Sequence, residues 1–165
     1  MQRYWRSIAI FLFGGILGTG FGVALGFFFF PFVFPPPPAA DQLTAADRSA
    51  LIATGTFIHA NPSDSVHWGR GKVSVYERTV YLEPNFEVGP GPAYHVYLVP
   101  AASIRNASAV KDAMFIDLGG LRAFTGSQRY VIPAGVNLKD YPSVVIWCEY
   151  FGVLISPADL MAATK

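Results

Sequence analysis

The chain has 165 residues, of which 52% are hydrophobic and 14% are charged, and its formal net charge is +1. This balance gives no basic face of the kind that nucleic acid binding needs, so that class of function is excluded. The part from Thr54 onward, about 110 residues, has the length of a single domain.

The N-terminal part of the chain holds much of the apolar excess, with no charged residue from Ser7 to Ala40. A helix over Ile8–Phe30 is about 34 Å long at about 1.5 Å per residue, enough to cross a hydrocarbon core of about 30 Å. Pro31 disfavours continuation of the helix, and Pro35–Pro38 predict an extended polyproline exit. The sequence therefore predicts a transmembrane anchor over residues 8–30.

The length of this segment and the charges on either side of it predict whether it is retained and how it is oriented in the membrane. A signal peptide has an apolar region of about 7–15 residues, so the greater length here predicts a retained anchor, with late cleavage after PPPPAA as the alternative. Arg3 and Arg6 precede the span, and Asp41 is the first charge after it. The positive-inside rule then places residues 1–7 in the cytoplasm and the following domain in the periplasm or outside the cell. We expect a single-pass protein in contact with the lipid bilayer.

Glycines recur every four residues inside the anchor and so share one helix face. Such a stripe of small residues lets two helices approach closely, which predicts dimerisation through the transmembrane helix. The alternative is that glycine is simply common in membrane helices. The four residues are Gly14, Gly18, Gly22 and Gly26.

A proline-rich linker and tether is predicted over residues 31–53. Within it, DQLTAADRSALI is typical of a short amphipathic helix or a tether, because Leu43, Ala46 and Ala50 lie at helical spacing. The domain proper is predicted over residues 54–160.

Strand patterns dominate that domain. KVSVYERTVYLEP alternates apolar and polar residues, and a tight turn near Glu77–Arg78 would make it a hairpin. AYHVYLVP alternates as well, which puts Tyr94 and His95 on opposite faces of one strand. SQRYVIPAG and SVVIWCEYFGVLI supply two more strands, and Gly-Pro pairs and similar turn signals separate the segments.

Helical patterns are few in the domain. AASIRNASAVKDA has weak helical periodicity, and SPADLMAATK predicts a short helix with Ser156 as its cap and Pro157 at its first position. Residues 161–165 form the tail. The sum is an all-β fold, a compact antiparallel β-sandwich or barrel preceded by one N-terminal transmembrane helix.

Cys148 is the only cysteine in the chain and cannot form a disulfide within it. Strand alternation puts it on one side with Val144, Ile146 and Tyr150, and puts Val145, Trp147, Glu149 and Phe151 on the other. Free cysteines are usually small buried hydrophobes, and a thiol among apolar side chains is a poor nucleophile unless a cation or a metal lies nearby. A core residue, a redox thiol and a ligand all remain open.

The histidines that could partner Cys148 are His59, His67 and His95, although each has a structural alternative as a hydrogen-bonded or exposed side chain. Covalent c-type haem is excluded, because it needs Cys-x-x-Cys-His. A blue-copper site is disfavoured, because no histidine follows Cys148. Non-covalent haem or another metal stays open. No hydrolase or transferase motif is visible, so a redox carrier or a binding module is expected rather than a catalytic enzyme.

Several segments together resemble the electron-transfer DM-thirteen family, a module found beside DOMON domains in Skeletor-type animal proteins and alone in many bacterial membrane-anchored proteins. They are GTF, a histidine ahead of GKVSV, LEPNFEVGPGPAYHVYL, LGGLRAFTGSQRYVIP and YPSVVIWCEYFGVLISPADL, which span Thr54–Leu160. The resemblance implies that Cys148 is the family's single cysteine, a redox thiol or the holder of a prosthetic group such as haem. It also implies an electron-transfer chain with a redox protein partner. The alternative function is a non-redox β-domain for adhesion or scaffolding, in which Cys148 is a core residue.

Overall fold

The computed structural model describes residues 2–49 and 51–163, with only the backbone described for Gln2, Arg3 and Ser49. Ala50, which contributes to the predicted amphipathic spacing, and the last two residues of the predicted tail lie outside the described residues. The chain divides after Phe34 into two compact units.

The first unit is a single helix, α1, over Gln2–Val33. Its segment Tyr4–Val33 is long and apolar enough to span a membrane. The expected end of the helix before Pro31 was wrong, since Pro31 lies inside the last turn. Helical bonding resumes directly after it, because Phe34 donates its N–H to the carbonyl of Phe30 at 2.8 Å. A proline that removes one bond is tolerated where its neighbours keep theirs.

The glycine stripe lies on α1, and a Cβ added at any of its four positions would meet nothing within 4 Å. The backbone of this face is therefore open to close approach. Pairing of two helices through it stays a prediction.

The second unit is a β structure. In the described part of the chain its elements are β1 (Ala39–Ala40), β2 (Leu51–Phe57), β3 (Gly69–Tyr76), β4 (Thr79–Leu82), β5 (Glu87–Val88), β6 (Tyr94–Val99), α2 (Ser108–Lys111), β7 (Ile116–Gly120), β8 (Gly126–Val131), β9 (Ser143–Cys148) and β10 (Val153–Ala162). Two 3₁₀ turns, Asp47–Ser49 and Leu138–Asp140, complete it.

The strands form one curled sheet in the order β1-β8-β4-β3-β2-β10-β9-β6-β7, with β5 beside β3. All pairs are antiparallel except β1 with β8. The prediction of an all-β domain behind one apolar helix is confirmed, and the sheet has the shape of a half-barrel. The predicted hairpin is also confirmed, because Glu77–Arg78 connect β3 to β4.

The predicted C-terminal helix was wrong. Ser156 and Pro157 lie inside β10, which pairs with β9 on one side and β2 on the other. A register shift between Leu154 and Ser156 marks a bulge just before the proline, which is where a strand tolerates a residue without an N–H. The Ser156 hydroxyl donates to the carbonyl of Ile58 at 2.7 Å instead of capping a helix. Pairing on both sides thus overrides the local helical signal.

Of the two alternatives predicted after Asp41, an amphipathic helix or a tether, the helix is not formed, and an irregular segment and a 3₁₀ turn lead into β2. Asp41 forms an ion pair with Arg122 and accepts the backbone N–H of Arg129 at 2.9 Å. Asp47 accepts the hydroxyl of Thr79 at 2.6 Å, and its hydrogen bonds hold its pKa below the ordinary range. These carboxylates fasten the segment to β4 and β8, which a helix could not do.

Two buried clusters lie on the two sides of the strand pair β6–β9. The inner face, defined by Tyr94, Val96, Leu98, Val144, Ile146 and Cys148, joins the main core. The outer face, defined by His95, Tyr97, Val99, Val145, Trp147 and Glu149, includes the residues of a second, smaller core that α2 covers through Val110. The predicted grouping of Cys148 with Val144 and Ile146 is confirmed.

Strand β9 ends earlier than the alternation in SVVIWCEYFGVLI predicted. β9 ends at Cys148, and Glu149 to Gly152 form the turn into β10. Tyr150, expected on the side of Cys148, is instead 76% exposed in this turn. Gly152 has a φ of 58°, a left-handed conformation that favours glycine and reverses the chain there.

Candidate functional site

Cys148 is the last residue of β9 and has a solvent exposure of 1%. It pairs with Tyr94 of β6 on one side and with Val153 of β10 on the other. Its thiol donates a hydrogen bond to the carbonyl of Pro92 at 3.3 Å. The thiol is therefore a partnered group inside the core, and its hydrogen-bond partner lies in the segment that carries Pro92.

That segment is the GPGPA loop, residues 89–93, and its glycines are required by close packing. A Cβ at Gly89 would lie 2.5 Å from the carbonyl oxygen of Val66, and a Cβ at Gly91 would lie 2.1 Å from the hydroxyl oxygen of Tyr94. Residues 90–93 are half-buried, and among them Pro92 contacts the thiol of Cys148 through its carbonyl.

Ala93 ends the loop with a φ of 47°, a left-handed conformation that costs a non-glycine residue about 1–2 kcal/mol. Its carbonyl accepts the N–H of Glu149 at 3.0 Å, which ties the loop to the end of β9. Strain of this kind persists where the surrounding structure enforces it, and it is common at functional sites.

Tyr94 lies beside the thiol on the inner face and is 4% exposed. Burial raises the pKa of its hydroxyl well above the ordinary value, and electrostatic interactions with Cys148 and Asp64 raise it further. The ring packs edge-on against Phe124 with centroids 6.1 Å apart. The thiol thus has a neutral phenol as its cross-strand neighbour.

The structure brings His59 and His67 together around Asp64 in the loop before β3. The Asp64 carbonyl lies 2.6 Å from Nε2 of His59, and its Oδ2 lies 2.7 Å from Nδ1 of His67. The other carboxylate oxygen accepts the backbone N–H groups of Val66 and His67. These bonds hold the pKa of Asp64 at about 2. The contacts order a turn, and a cofactor role for either histidine stays a prediction.

His95 lies on the outer face, on the opposite side of β6 from Tyr94, so the structure does not bring it to the thiol. Its Nδ1 is 2.9 Å from Oδ2 of Asp117. One ligand atom each from His95, Asp117 and Glu149 lie within 4.8 Å of one another. Alternation along β9 places Glu149 on the outer face, whereas no sequence signal indicated Asp117, because the pairing of β7 with β6 depends on the tertiary fold.

A cavity of about 180 Å³ adjoins the loop and is lined by residues that include Gly91, Tyr94, His95, Arg122 and Phe124. Sites that enclose a drug-sized ligand measure about 300–1,000 Å³, so this cavity suits only a small group. The sulfur of Cys148 is packed on the inner face and engaged by Pro92. The residues present therefore do not fit a haem ligated by Cys148.

A family model described as Electron transfer DM13, the same DM-thirteen family that the sequence resembles, matches residues 61–160. The match covers more than half of the 165 residues and includes His67, the GPGPA loop, His95 and Cys148, while His59 precedes it. Neither a curated protein nor a solved structure matches the chain.

Proposed function

The chain belongs to the electron transfer DM13 family, and from this membership we propose that it is a membrane-anchored redox module in which Cys148 changes oxidation state. Helix α1 is the anchor, retained in the mature protein. Arg6 before the span and Asp41 after it support an N-terminus in the cytoplasm and an extracytoplasmic β unit. Its partner is a separate redox protein.

The observation that carries the proposal is the hydrogen bond from the buried thiol to the carbonyl of Pro92, in a loop whose last residue, Ala93, is strained. A single thiol cannot form an internal disulfide, so it exchanges with a disulfide of the partner. The sulfur of Cys148 bonds to one partner sulfur, the partner's sulfur–sulfur bond breaks, and the released sulfur takes up the proton that Cys148 gives up. Cys148 is oxidised to a mixed disulfide, and the released partner thiol is the reduced product.

Opening of the GPGPA loop makes this exchange possible without unfolding the sheet. The loop is half-buried, carries the strained Ala93 and contacts the thiol through a single carbonyl, that of Pro92. Loops can open locally at a lower free energy than the core strands beside them. The exchange rate then reports loop opening.

An aromatic disulfide reagent that releases a coloured thiolate tests the proposal on the full chain in detergent. Global unfolding has an m-value of about 1.4 kcal/mol/M or more in urea, so modification through unfolding accelerates by about tenfold per molar urea. Modification through loop opening stays nearly constant at low urea, and this is the expected result. Cys148→Ser, which has no thiol, is the control for background release. Modification that follows the urea dependence of unfolding throughout would contradict the proposal.

The burial of Cys148 favours a second function, a non-redox β-domain for adhesion or scaffolding in which the thiol is packing. Cys148 belongs to the main core with an exposure of 1%. On this alternative, Cys148→Ala costs about 1 kcal/mol of stability, as for a small deletion in a core, and the thiol reacts only after unfolding. Partner reduction that survives Cys148→Ser would also favour this alternative.

A further inference from the structure

We propose that His95, Asp117 and Glu149 form a binding site for one divalent transition-metal ion on the outer face. One imidazole nitrogen and two carboxylate oxygens lie within 4.8 Å of one another. The site lies on the opposite side of β6 and β9 from Tyr94 and Cys148. The proposed metal site therefore does not depend on the proposed thiol exchange, and the two can be tested separately.

Two neighbouring strands and the turn after a third contribute one ligand each, with His95 on β6, Asp117 on β7 and Glu149 in the turn that follows β9. His95 lies on the central strand, opposite Trp147 of β9 and Gly120 of β7. Glu149 follows the end of β9, and its N–H donates to Ala93 at 3.0 Å, so it lies diagonally across from His95. Sites built on strands hold their ligands more accurately than sites on loops.

A β-bulge brings Asp117 beside the imidazole. The pairs His95–Gly120 and Tyr97–Asp117 set three steps along β7 against two along β6, and Gly119 within the extra length has a φ of 117°. The Oδ1 of Asp117 accepts the N–H of Gly119 at 2.8 Å, which leaves Oδ2 directed at His95. Bulges of this kind re-aim a side chain next to functional sites.

Glycine at position 120 keeps one edge of the imidazole free of a side chain. A Cβ at Gly120 would lie 3.8 Å from Nε2 of His95, in van der Waals contact with this edge of the ring. The imidazole is held from its other side, where Tyr97 packs edge-on with centroids 6.3 Å apart. Contacts with Asp117 and Tyr97 thereby orient the ring.

The ligand set indicates the class of metal. Imidazole combined with carboxylates suits ions of the series from Mn²⁺ to Zn²⁺, whereas Mg²⁺ and Ca²⁺ prefer sites made entirely of oxygen. Metal–nitrogen and metal–oxygen distances are about 2.0–2.2 Å, so ligands around one ion lie about 3–4 Å apart. Asp117 and Glu149 are both exposed, which leaves their side chains free to turn towards that spacing. Three protein ligands leave further coordination positions open.

The chain contains its own control for a simple histidine–carboxylate pair. Nδ1 of His67 lies 2.7 Å from Oδ2 of Asp64, which is closer than the 2.9 Å between Nδ1 of His95 and Oδ2 of Asp117. Within residues 2–49 and 51–163, however, the group around His95 is the one in which a third ligand comes within reach. A metal that needs three ligands therefore distinguishes the two pairs.

The experiment titrates the full chain in detergent, stripped of metal by a chelator, with Mn²⁺ while electron paramagnetic resonance measures the free ion. One equivalent of Mn²⁺ is expected to bind. His95→Gln, Asp117→Asn and Glu149→Gln should each weaken binding by at least about tenfold, the scale reached even by outer-shell partners of a metal. Zn²⁺ should displace the Mn²⁺ and raise the thermal midpoint of the wild type.

Two controls keep the result specific. His67→Gln and Glu77→Gln remove an equivalent imidazole and an exposed carboxylate outside the site, and both should bind Mn²⁺ as the wild type does. Circular dichroism identifies any variant that does not fold. If one of the three ligand variants does not fold, the other two still test the site. Absence of stoichiometric Mn²⁺ and Zn²⁺ binding, or equal weakening by His67→Gln, overturns the site. Cys148→Ser should leave binding unchanged, which separates this result from that of the thiol exchange.

Discussion

The inner and outer faces of the strand pair β6–β9 carry opposite kinds of chemistry on adjacent residues. Tyr94 and Cys148 are sealed on the inner face, whereas their neighbours His95 and Glu149 point to the outer face and reach solvent. Successive side chains of a strand alternate faces, so one strand thickness separates the thiol from the imidazole and carboxylates of the outer face. Proximity in sequence therefore does not make these residues one site.

The faces also differ in how they are closed. The GPGPA loop lies over the inner face so tightly that Gly91 has no room for a methyl group, whereas Gly120 beside the outer face has room for one. We infer that the inner face is a packed site that must open to react. On the outer face, His95 is half-buried and Asp117 and Glu149 are exposed, so solvent reaches these side chains without such opening.

Gly91→Ala should have the largest effect on stability. Its Cβ would lie 2.1 Å from the hydroxyl oxygen of Tyr94, which is buried and must move together with the loop. Overpacking of this kind costs about 1–3 kcal/mol, which chemical denaturation of the full chain measures as a lower midpoint. Gly120→Ala is the matched control and should change stability by less than about 0.5 kcal/mol. Equal losses in both variants would show that the faces are not closed differently.

Much of this comparison follows from strand alternation alone. The pattern of AYHVYLVP separates Tyr94 from His95, and the pattern of SVVIWC separates Trp147 from Cys148, as the structure confirms. Alternation works here because both faces of these strands are covered, so a shift of one residue would exchange two different cores.

The partners of each face could not be predicted in the same way. Asp117 reaches His95 through a bulge in β7, and Pro92 reaches Cys148 through a loop, and neither contact has a periodic signal. The terminal strand β10 was predicted as a helix because Ser156 and Pro157 resemble a cap. Its strand conformation depends on two neighbouring strands that are distant in sequence.

Tyr97→Phe should stabilise the protein, in contrast to Gly91→Ala, and raise its free energy of unfolding by about 1 kcal/mol. Among the described residues, the Tyr97 hydroxyl is the buried side-chain polar atom without a hydrogen-bond partner, and its ring stacks on Phe115 with centroids 4.2 Å apart. An unsatisfied buried group costs about 1–3 kcal/mol, so its removal leaves the stacking and ends the penalty.

The matched control for this variant is Tyr130→Phe. The Tyr130 hydroxyl is buried and donates to Oε1 of Gln128 at 2.9 Å, so its removal should cost about 1 kcal/mol. Denaturation midpoints of both variants give the comparison. A loss of stability in Tyr97→Phe as large as that in Tyr130→Phe would mean that the outer-face hydroxyl has a partner such as a buried water.

Asp64→Asn should have the smallest effect, and the effect should depend on pH. The pKa of Asp64 is lowered from its ordinary 3.8 to about 2 by hydrogen bonds from His67 and Val66. A lowered pKa in the folded state means that the ionised carboxylate stabilises the fold above about pH 4, and that this contribution is lost as the pH falls towards 2. Because the group is partly exposed, the contribution is below about 1 kcal/mol.

Measured between pH 6 and about pH 2, the stability difference between wild type and Asp64→Asn should therefore shrink as the solution becomes more acidic. His67→Gln removes the side-chain partner of Asp64 but keeps its backbone donors. In this variant, the stability that Asp64 contributes should therefore begin to fall at a higher pH than in the wild type. If the stability of the wild type, Asp64→Asn and His67→Gln fell in parallel with decreasing pH, the prediction would be refuted.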